Sequence, residues 1–185
     1  AESDDGLTWR KPKVGMVEYA GSRNNNVCDL GMHNPSIWID PDAPASHRYR
    51  ATAHRNGKAA GARADVQGDG YYLLHSSDGL KWELDATAPV WPGHDLLRSA
   101  YHPGRRCGMV RFKRSAFVRG IPRRSVWEAA VVNGQPTDGR CALVPDDFDD
   151  VCAMTRGYAS ADYYSMAMMP AGQGTVGFLE QFRHS

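Results

Sequence analysis

The sequence predicts an all-β fold, and three observations lead to that prediction. Short runs rich in aromatic and β-branched residues recur along the 185 residues, with turn signals between them. The motif Ser-x-Asp-Gly-Leu-x-Trp occurs twice, as Ser3-Asp4-Asp5-Gly6-Leu7-Thr8-Trp9 and as Ser76-Ser77-Asp78-Gly79-Leu80-Lys81-Trp82. No amphipathic helical pattern extends beyond two turns. Short strands separated by strong turn signals are typical of all-β proteins.

The repeated motif is predicted to be a structural turn. Asp-Gly is a strong hairpin signal, because Gly accepts the positive φ that such turns need and Asp tolerates it. The Ser and Asp oxygens can accept hydrogen bonds from backbone N–H groups left unpaired by the turn. The Trp then serves as an apolar anchor. A recurring turn of this kind indicates an architecture rather than a reaction.

The strand predictions give the architecture in more detail. Strands are predicted at residues 14–20, 36–40, 48–54, 70–76, 97–101, 107–112, 163–169 and 175–182. Turns or loops are predicted at Asn56-Gly57, at 59–70, at 123–127 as a degenerate third copy of the motif, and at the acidic stretch 146–150. About four strands therefore lie between the two motif copies, which is typical of a β-propeller blade. We predict an incomplete β-propeller of four-stranded antiparallel blades, forming a single domain over residues 1–185 of a longer chain.

Composition excludes several classes of function. The net charge is +1, with 22 basic and 21 acidic residues, so no global field indicates nucleic acid or a membrane. No apolar run approaches the ~20 residues of a membrane span. No signal peptide is visible, and a secreted or periplasmic location is favoured.

No metal and no cofactor are predicted, because His33, His54 and His94 are scattered. Cys141 and Cys152 could form a short disulfide, or all four cysteines could be free thiols.

Several motifs together resemble a known family. The Ser-x-Asp-Gly-Leu-x-Trp turn, followed by Asn24-Asn25-Asn26-Val27, by Asp40-Pro41 and by Arg48-Tyr49-Arg50-Ala51, is similar to five-bladed β-propeller glycoside hydrolases. The branch it resembles has a family 32-type N-terminal domain and is related to the invertase-like and arabinanase-like enzymes. The later Asp162-Tyr163-Tyr164 and Gly177-Phe178-Leu179 fit the final blades of that pattern.

The resemblance implies a substrate and the position of a site. Members of this clan act on furanosides or related sugars through carboxylates at the narrow end of an axial funnel. Their first catalytic carboxylate comes from the first blade, which we expect to lie upstream of Ala1. A poly- or oligosaccharide substrate is therefore expected.

Candidate catalytic residues follow from the need for two carboxyl groups across the scissile bond. Asp95 and Asp162 precede candidate inner strands, and we predict that they are the site carboxylates. Glu18 and Glu128 lie in strand patterns and are candidates for the acid. The alternative interpretation is that the aspartates are turn or capping residues and the glutamates lie on solvated strand faces.

Candidate substrate contacts are drawn from side chains suited to sugars. The amides of Asn24 and Asn25 could bind sugar hydroxyls, Arg111 could bind a carboxylate or sulfate on the substrate, and Trp91 could stack on a ring. Loop asparagines, a core tryptophan and a solvated arginine face remain as alternatives. Arg111 belongs to a basic stretch with Arg114, Arg123 and Arg124, for which a nucleic-acid patch is a further alternative.

The resemblance therefore implies a glycoside hydrolase acting through funnel carboxylates. The alternative is a non-catalytic carbohydrate-binding or assembly module whose propeller is completed by a partner chain. An open propeller exposes sheet edges, so association with copies of itself or with a partner chain is expected. No nucleic-acid or membrane partner is predicted.

Overall fold

The computed structural model of the chain describes residues 1–28, 30–55, 64–93 and 95–185. The chain divides into two compact units, Ala1–Gly31 and Met32–Ser185. The predicted turn at Asn56-Gly57, the first part of the predicted loop 59–70, and His94 lie outside the described residues. The prediction of one domain over residues 1–185 stays a prediction.

The first unit has turns and isolated bridges in place of strands within its described residues. Its bridges pair Glu2 with Arg10 and Tyr19 with Ser22. The predicted strand at residues 14–20 is therefore wrong. The physical reason is local, because Gly15 has a φ of 65° and residues 20 and 21 also have positive φ, which an extended strand does not allow.

The second unit begins with a four-stranded antiparallel sheet whose strands follow each other in chain order. The strands are β1 (His33–Ile39), β2 (Tyr49–Arg55), β3 (Gly70–Ser76) and β4 (Glu83–Leu84). The predicted strands at residues 36–40, 48–54 and 70–76 are confirmed. Beyond β4, a single bridge between Tyr71 and Trp91 continues the pairing along the outer edge of β3.

A second antiparallel sheet follows with the same order of strands. It contains β5 (Leu97–His102), β6 (Cys107–Val118), β7 (Ile121–Val132), β8 (Gln135–Pro136) and β9 (Arg140–Leu143). Both β8 and β9 pair with β7, so they form one interrupted outer strand. The predicted strands at 97–101 and 107–112 are confirmed, and β6 continues six residues beyond the second of them.

The predicted third turn at residues 123–127 is wrong, because these residues lie inside β7. They pair with residues 112–116 of β6 in regular register. The turn of this hairpin is instead Arg119-Gly120, where φ is 52° and 80°. Two consecutive positive φ values are what a tight hairpin turn requires, and Gly120 meets that requirement without strain.

The C-terminal part consists of one helix and a two-stranded hairpin. The helix α1 (Asp147–Met154) precedes β10 (Ser160–Ala171) and β11 (Gly174–His184), and this last pair confirms the predicted strands at 163–169 and 175–182. The prediction of an acidic loop at 146–150 is wrong. The Asp146 side chain caps α1 and forms a reciprocal capping box with Asp149. The acidic residues of the first turn also favour the positive end of the helix dipole.

The main core lies between the two larger sheets. Its buried side chains come from alternate positions of the strands and from the segment after β4: Trp38, Tyr71, Leu73, Trp91, Leu97, Val110, Phe112, Ala129 and Val131. The first strands of the two sheets, β1 and β5, are joined by Ser36 and Ser99. The Ser99 N–H donates to Ser36 Oγ at 2.8 Å, and Ser99 Oγ donates to the Ser36 carbonyl at 3.0 Å. The second unit is therefore an all-β structure of packed antiparallel sheets.

Both copies of the repeated motif form the predicted turn with the same hydrogen bonds. In each, the Ser Oγ accepts from the Gly N–H, at 2.8 Å in the first copy and 2.9 Å in the second. The Asp Oδ1 accepts from the two N–H groups after the Gly, at distances of 2.8 to 2.9 Å. The Trp indole N–H donates to the Gly carbonyl. Hydrogen bonds from the N–H groups of Thr8 and Leu7 hold the pKa of Asp5 at about 2. At neutral pH this carboxylate is therefore ionised and accepts both hydrogen bonds.

Two further findings concern the cysteines and membranes. Cys28, Cys107, Cys141 and Cys152 are all free, so the disulfide alternative is not realised in this structure. Within the described part of the chain, no helix has both the length and the apolar character needed to cross a membrane.

Candidate functional site

Asp95 lies two residues before β5 in a strained backbone conformation. Its φ is 80°, which side-chain-bearing residues rarely adopt and which often accompanies functional sites. Its N–H donates to His54 Nδ1 at 3.4 Å, and its carbonyl accepts from Asn34 Nδ2 at 3.4 Å. Asn34 is in the irregular part of β1 and His54 is in β2. The first sheet therefore fixes the backbone that carries this carboxylate.

The Asp95 carboxylate is held by side chains from two other strands. Its Oδ2 accepts from Lys113 Nζ of β6 and from Tyr164 Oη of β10, both at 2.7 Å. The Lys113 ammonium also lies 4.6 Å from the centre of the Tyr164 ring. The Asp95 side chain keeps 38% of its surface exposed. The carboxylate is thus positioned by residues of all three sheets and still open to solvent.

Electrostatics keep Asp95 ionised. Burial acts to raise the pKa of this carboxyl, but the hydrogen bonds from Lys113 and Tyr164 outweigh it and hold the pKa below the ordinary value. In turn, the hydrogen bond to Asp95 raises the pKa of the Tyr164 hydroxyl. At neutral pH, Asp95 is a carboxylate able to stabilise positive charge or act as a base or nucleophile, and it is not a proton donor.

A cleft of about 440 Å³ adjoins this carboxylate through Lys113. Its lining is strongly basic and comes mainly from the β6–β7 hairpin: Pro92, Gly93, Lys113, Arg114, Ser115 and Arg124. Gly93 is required here, because a Cβ at this position would lie 2.3 Å from the Tyr71 ring. We call this cavity the basic cleft.

Asp162 belongs to a different network from Asp95. Its side chain is 7% exposed and accepts from Arg123 Nε at 2.8 Å and from His184 Nε2 at 2.9 Å. Arg123 also contacts Asp150 at 2.8 Å. Burial acts to raise the pKa of Asp162, but Arg123 and His184 outweigh it and keep the group ionised. This pairing favours a structural role.

Arg111 and Glu128 face each other across β6 and β7 and form a buried ion pair. Arg140 of β9 also pairs with Glu128. Burial lowers the pKa of the Arg111 guanidinium, while Glu128 acts to raise it. The predicted substrate contact Arg111 and the candidate acid Glu128 are therefore paired with each other.

Trp91 is a core residue in this structure. Its side chain is 4% exposed, stacks on Phe112 with ring centres 5.8 Å apart, and donates its indole N–H to the Thr137 carbonyl at 2.8 Å. A ring buried in this way is not accessible for stacking on a sugar.

Asn24, Asn25 and Glu18 lie in the first unit. The Asn25 amide donates to the carbonyls of Val17 and Ser22, both at 2.9 Å, and its Oδ1 accepts from the Val27 N–H. The hydrogen-bonding groups of Asn25 therefore stabilise the loop to which Asn25 itself belongs. The side chains of Asn24 and Glu18 are exposed.

Sequence reasoning missed two residues at this site, Lys113 and Tyr164, whereas Arg124 of the basic cleft belongs to the basic stretch that the sequence singled out. Tyr164 is 69 positions from Asp95 along the chain, so no local pattern could pair them. One signal was present, because alternation along β6 places Lys113 on the same face as the predicted Arg111.

A second cavity of about 350 Å³ lies elsewhere in the second unit and has paired charges. Asp42, Arg50 and Arg106 are among the residues that line it. Arg106 pairs with Asp42, and Arg50 pairs with Asp85. Because both of its arginines are already paired with carboxylates, this cavity is a weaker candidate than the Asp95 site.

The described residues contain no group of three or more His, Cys, Asp or Glu side chains arranged to hold a metal ion. The chain has no significant match among protein-family models, curated protein sequences or solved structures.

Proposed function

We propose that the second unit is part of a β-propeller. The support is topological, because the unit contains two consecutive antiparallel sheets, β1 to β4 and β5 to β9. In each sheet the strands pair in chain order, as in a propeller blade, and the outer strand is interrupted. Their first strands contact each other through Ser36 and Ser99, and Tyr164 of β10 reaches the start of β5. A third blade would then begin with β10 and β11.

The proposed activity is hydrolysis of a glycosidic bond in a poly- or oligosaccharide, with Asp95 as the ionised carboxylate of the pair. One observation carries the proposal: a partly exposed, ionised carboxylate on strained backbone, placed where residues of three sheets meet. Glycoside hydrolysis passes through a positively charged sugar ring, which such a carboxylate stabilises directly or attacks as a nucleophile. The reaction also needs a proton donor, and the ionised state of Asp162 does not suit it to that role.

The Asp95→Asn variant tests this proposal. We expect turnover of the cognate saccharide to fall by about 100-fold or more while its Kd stays within a few-fold, because the amide keeps the shape but removes the charge. Initial rates over a panel of oligosaccharides, with calorimetric Kd values, measure both. Asp147→Asn, which changes an exposed ion pair with Arg119, is the matched control and should leave both unchanged. Saccharide binding without turnover in the unmutated full-length protein would replace hydrolysis with a non-catalytic binding role.

An assembly role is the second candidate, and the surface of β11 favours it. Within the described residues, β11 pairs with β10 alone, so its other edge is open. It exposes four large apolar side chains: Val176, Phe178, Leu179 and Phe182. Open edges with apolar side chains promote association, and we propose that a second copy of this chain covers β11.

Phe178→Glu is expected to reduce this self-association. Phe178 is 60% exposed, so a charge there costs the isolated chain little but disfavours burial against another copy. Light scattering over a concentration series should show a smaller weight-average mass for the variant. Phe117→Glu, at the exposed tip of the β6–β7 hairpin, is the control. A monodisperse monomer of the unmutated chain at all concentrations contradicts this role.

A further inference from the structure

The basic cleft has more positive charge than its surroundings neutralise. Lys113 is paired with Asp95, but none of the described residues that line the cleft is acidic. Arg114 lies over the Trp127 ring at 4.6 Å, and Arg124 lies over the Phe182 ring at 4.6 Å. Aromatic rings orient a guanidinium and attract it, but they do not cancel its charge.

Arg124 also has an unused hydrogen-bond donor. Its Nη1 is buried and has no hydrogen-bond partner among the described residues. A buried donor without a partner is costly, and the cost is greater for a charged group. Arg50, Arg55 and Arg111 also have buried donors without a hydrogen-bond partner among the described residues, but Arg50 and Arg111 are each paired with a carboxylate. Arg124 combines such a donor with a position in the wall of the basic cleft.

The geometry of the hairpin adds a second polar group. Ser115 of β6 and Arg124 of β7 are directly opposite each other in the register, and both line the cleft. A guanidinium presents a planar fork of donors that matches a carboxylate or sulfate, and a serine hydroxyl can donate to a further oxygen. The volume of about 440 Å³ is within the range of small-molecule sites, ~300–1,000 Å³.

We propose that the basic cleft is a subsite for the anionic group, a carboxylate or a sulfate, of an acidic saccharide. This inference rests on the proposed function, because it assigns the substrate class of the Asp95 site. Lys113 joins the two parts: it holds Asp95 in place and contributes to the wall of the cleft. A neutral sugar would leave the charge of Arg114 and Arg124 without a counterion.

Calorimetry on the full chain tests the proposal with four probes of matched length: a galacturonate oligomer, a sulfated galactose oligomer, a neutral galactose oligomer and oligo-dT. We expect one of the two acidic saccharides to bind at least about 10-fold more tightly than the neutral one, with affinity that falls as salt rises. Whichever of the galacturonate and sulfated oligomers binds more tightly identifies the anionic group, a carboxylate or a sulfate, that the cleft prefers. Tighter binding of oligo-dT than of either acidic saccharide overturns the proposal in favour of a nucleic-acid surface.

Arg124→Gln is the decisive variant, because glutamine keeps a donor and removes the charge. Affinity for the acidic saccharide should fall about 10-fold, and affinity for the neutral one should not change. Arg119→Gln, in the turn of the same hairpin and paired with exposed Asp147, should change neither. If Arg124→Gln does not fold by circular dichroism, Arg114→Gln replaces it with the same expectation.

The outcomes separate this inference from the proposed function. Equal affinity for acidic and neutral saccharides, with turnover that depends on Asp95, overturns the anion subsite and leaves the hydrolase proposal standing. Acidic saccharides that bind through Arg124 without turnover overturn hydrolysis and leave the subsite standing. Absence of binding by all four probes overturns both.

Discussion

Replacing Trp91 with Ala is expected to lower the free energy of unfolding of the second unit by about 3–5 kcal/mol. The substitution removes a ring that is 4% exposed and stacked on Phe112, and it leaves a cavity between the two larger sheets. It also removes the hydrogen bond from the indole N–H to the Thr137 carbonyl. Because small domains are stable by only about 5–15 kcal/mol, the loss should be evident in urea denaturation at pH 7.

Phe117→Ala is the matched control for Trp91→Ala. Phe117 is also a large aromatic residue of the second unit, but it is 78% exposed at the tip of the β6–β7 hairpin. Its truncation should change the free energy of unfolding by less than about 0.5 kcal/mol. A stable Trp91→Ala variant that has lost saccharide binding would contradict the structural role and support the predicted sugar contact.

Asp162→Ala is expected to lower the free energy of unfolding at pH 7 by about 3 kcal/mol. The carboxylate is 7% exposed and pairs with Arg123, whose side chain is 12% exposed. Removing one partner of a buried pair leaves the other charge poorly compensated, and here Asp150 compensates Arg123 only in part. Asp147→Ala is the control, because it removes an Asp–Arg pair of the same 2.8 Å length at the surface and should cost less than about 1 kcal/mol.

The pH dependence of the same variant gives an independent test. The pKa of Asp162 is lower in the folded protein than its ordinary value near 4, so the unfolded state binds the proton more tightly. Its contribution to stability is therefore fully present above the ordinary carboxyl pKa and is lost as the pH falls through the folded-state pKa. The difference between the unmutated protein and Asp162→Ala should shrink below pH 4 in denaturation series. A difference that is constant with pH contradicts the ion-pair explanation.

The predictions for Trp91 and Asp162 test whether these two residues, which the sequence predicts to be functional, have a structural role instead. Trp91 and Asp162 have the residue types that a sugar site uses, and residue type is what the sequence prediction depends on. Their burial favours a structural role, because a stacked ring between two sheets and a carboxylate between Arg123 and His184 already have partners. Asp95 differs from both in keeping a substantial part of its surface open.

The errors in the strand and turn predictions have local causes of different kinds. At residues 14–20 the apolar pattern was outweighed by positive φ at Gly15 and at the following turn. At 123–127 the degenerate motif lacked Asp-Gly, and pairing with β6 extended it into a strand. At 146–150 the acidic residues cap and start a short helix, since an aspartate can take the place of the glutamate in a capping box.

The sequence by itself determined the turns and most of the strands. Each repeated turn is held by hydrogen bonds among residues at most three positions apart, so its geometry is encoded within the motif. Alternation along a strand likewise acts over two residues. The tertiary structure alone decided which side chains meet Asp95 and which arginines are left without a carboxylate. Those outcomes depend on strand register and on the packing of separate sheets, which bring Tyr164 to Asp95 from 69 positions away.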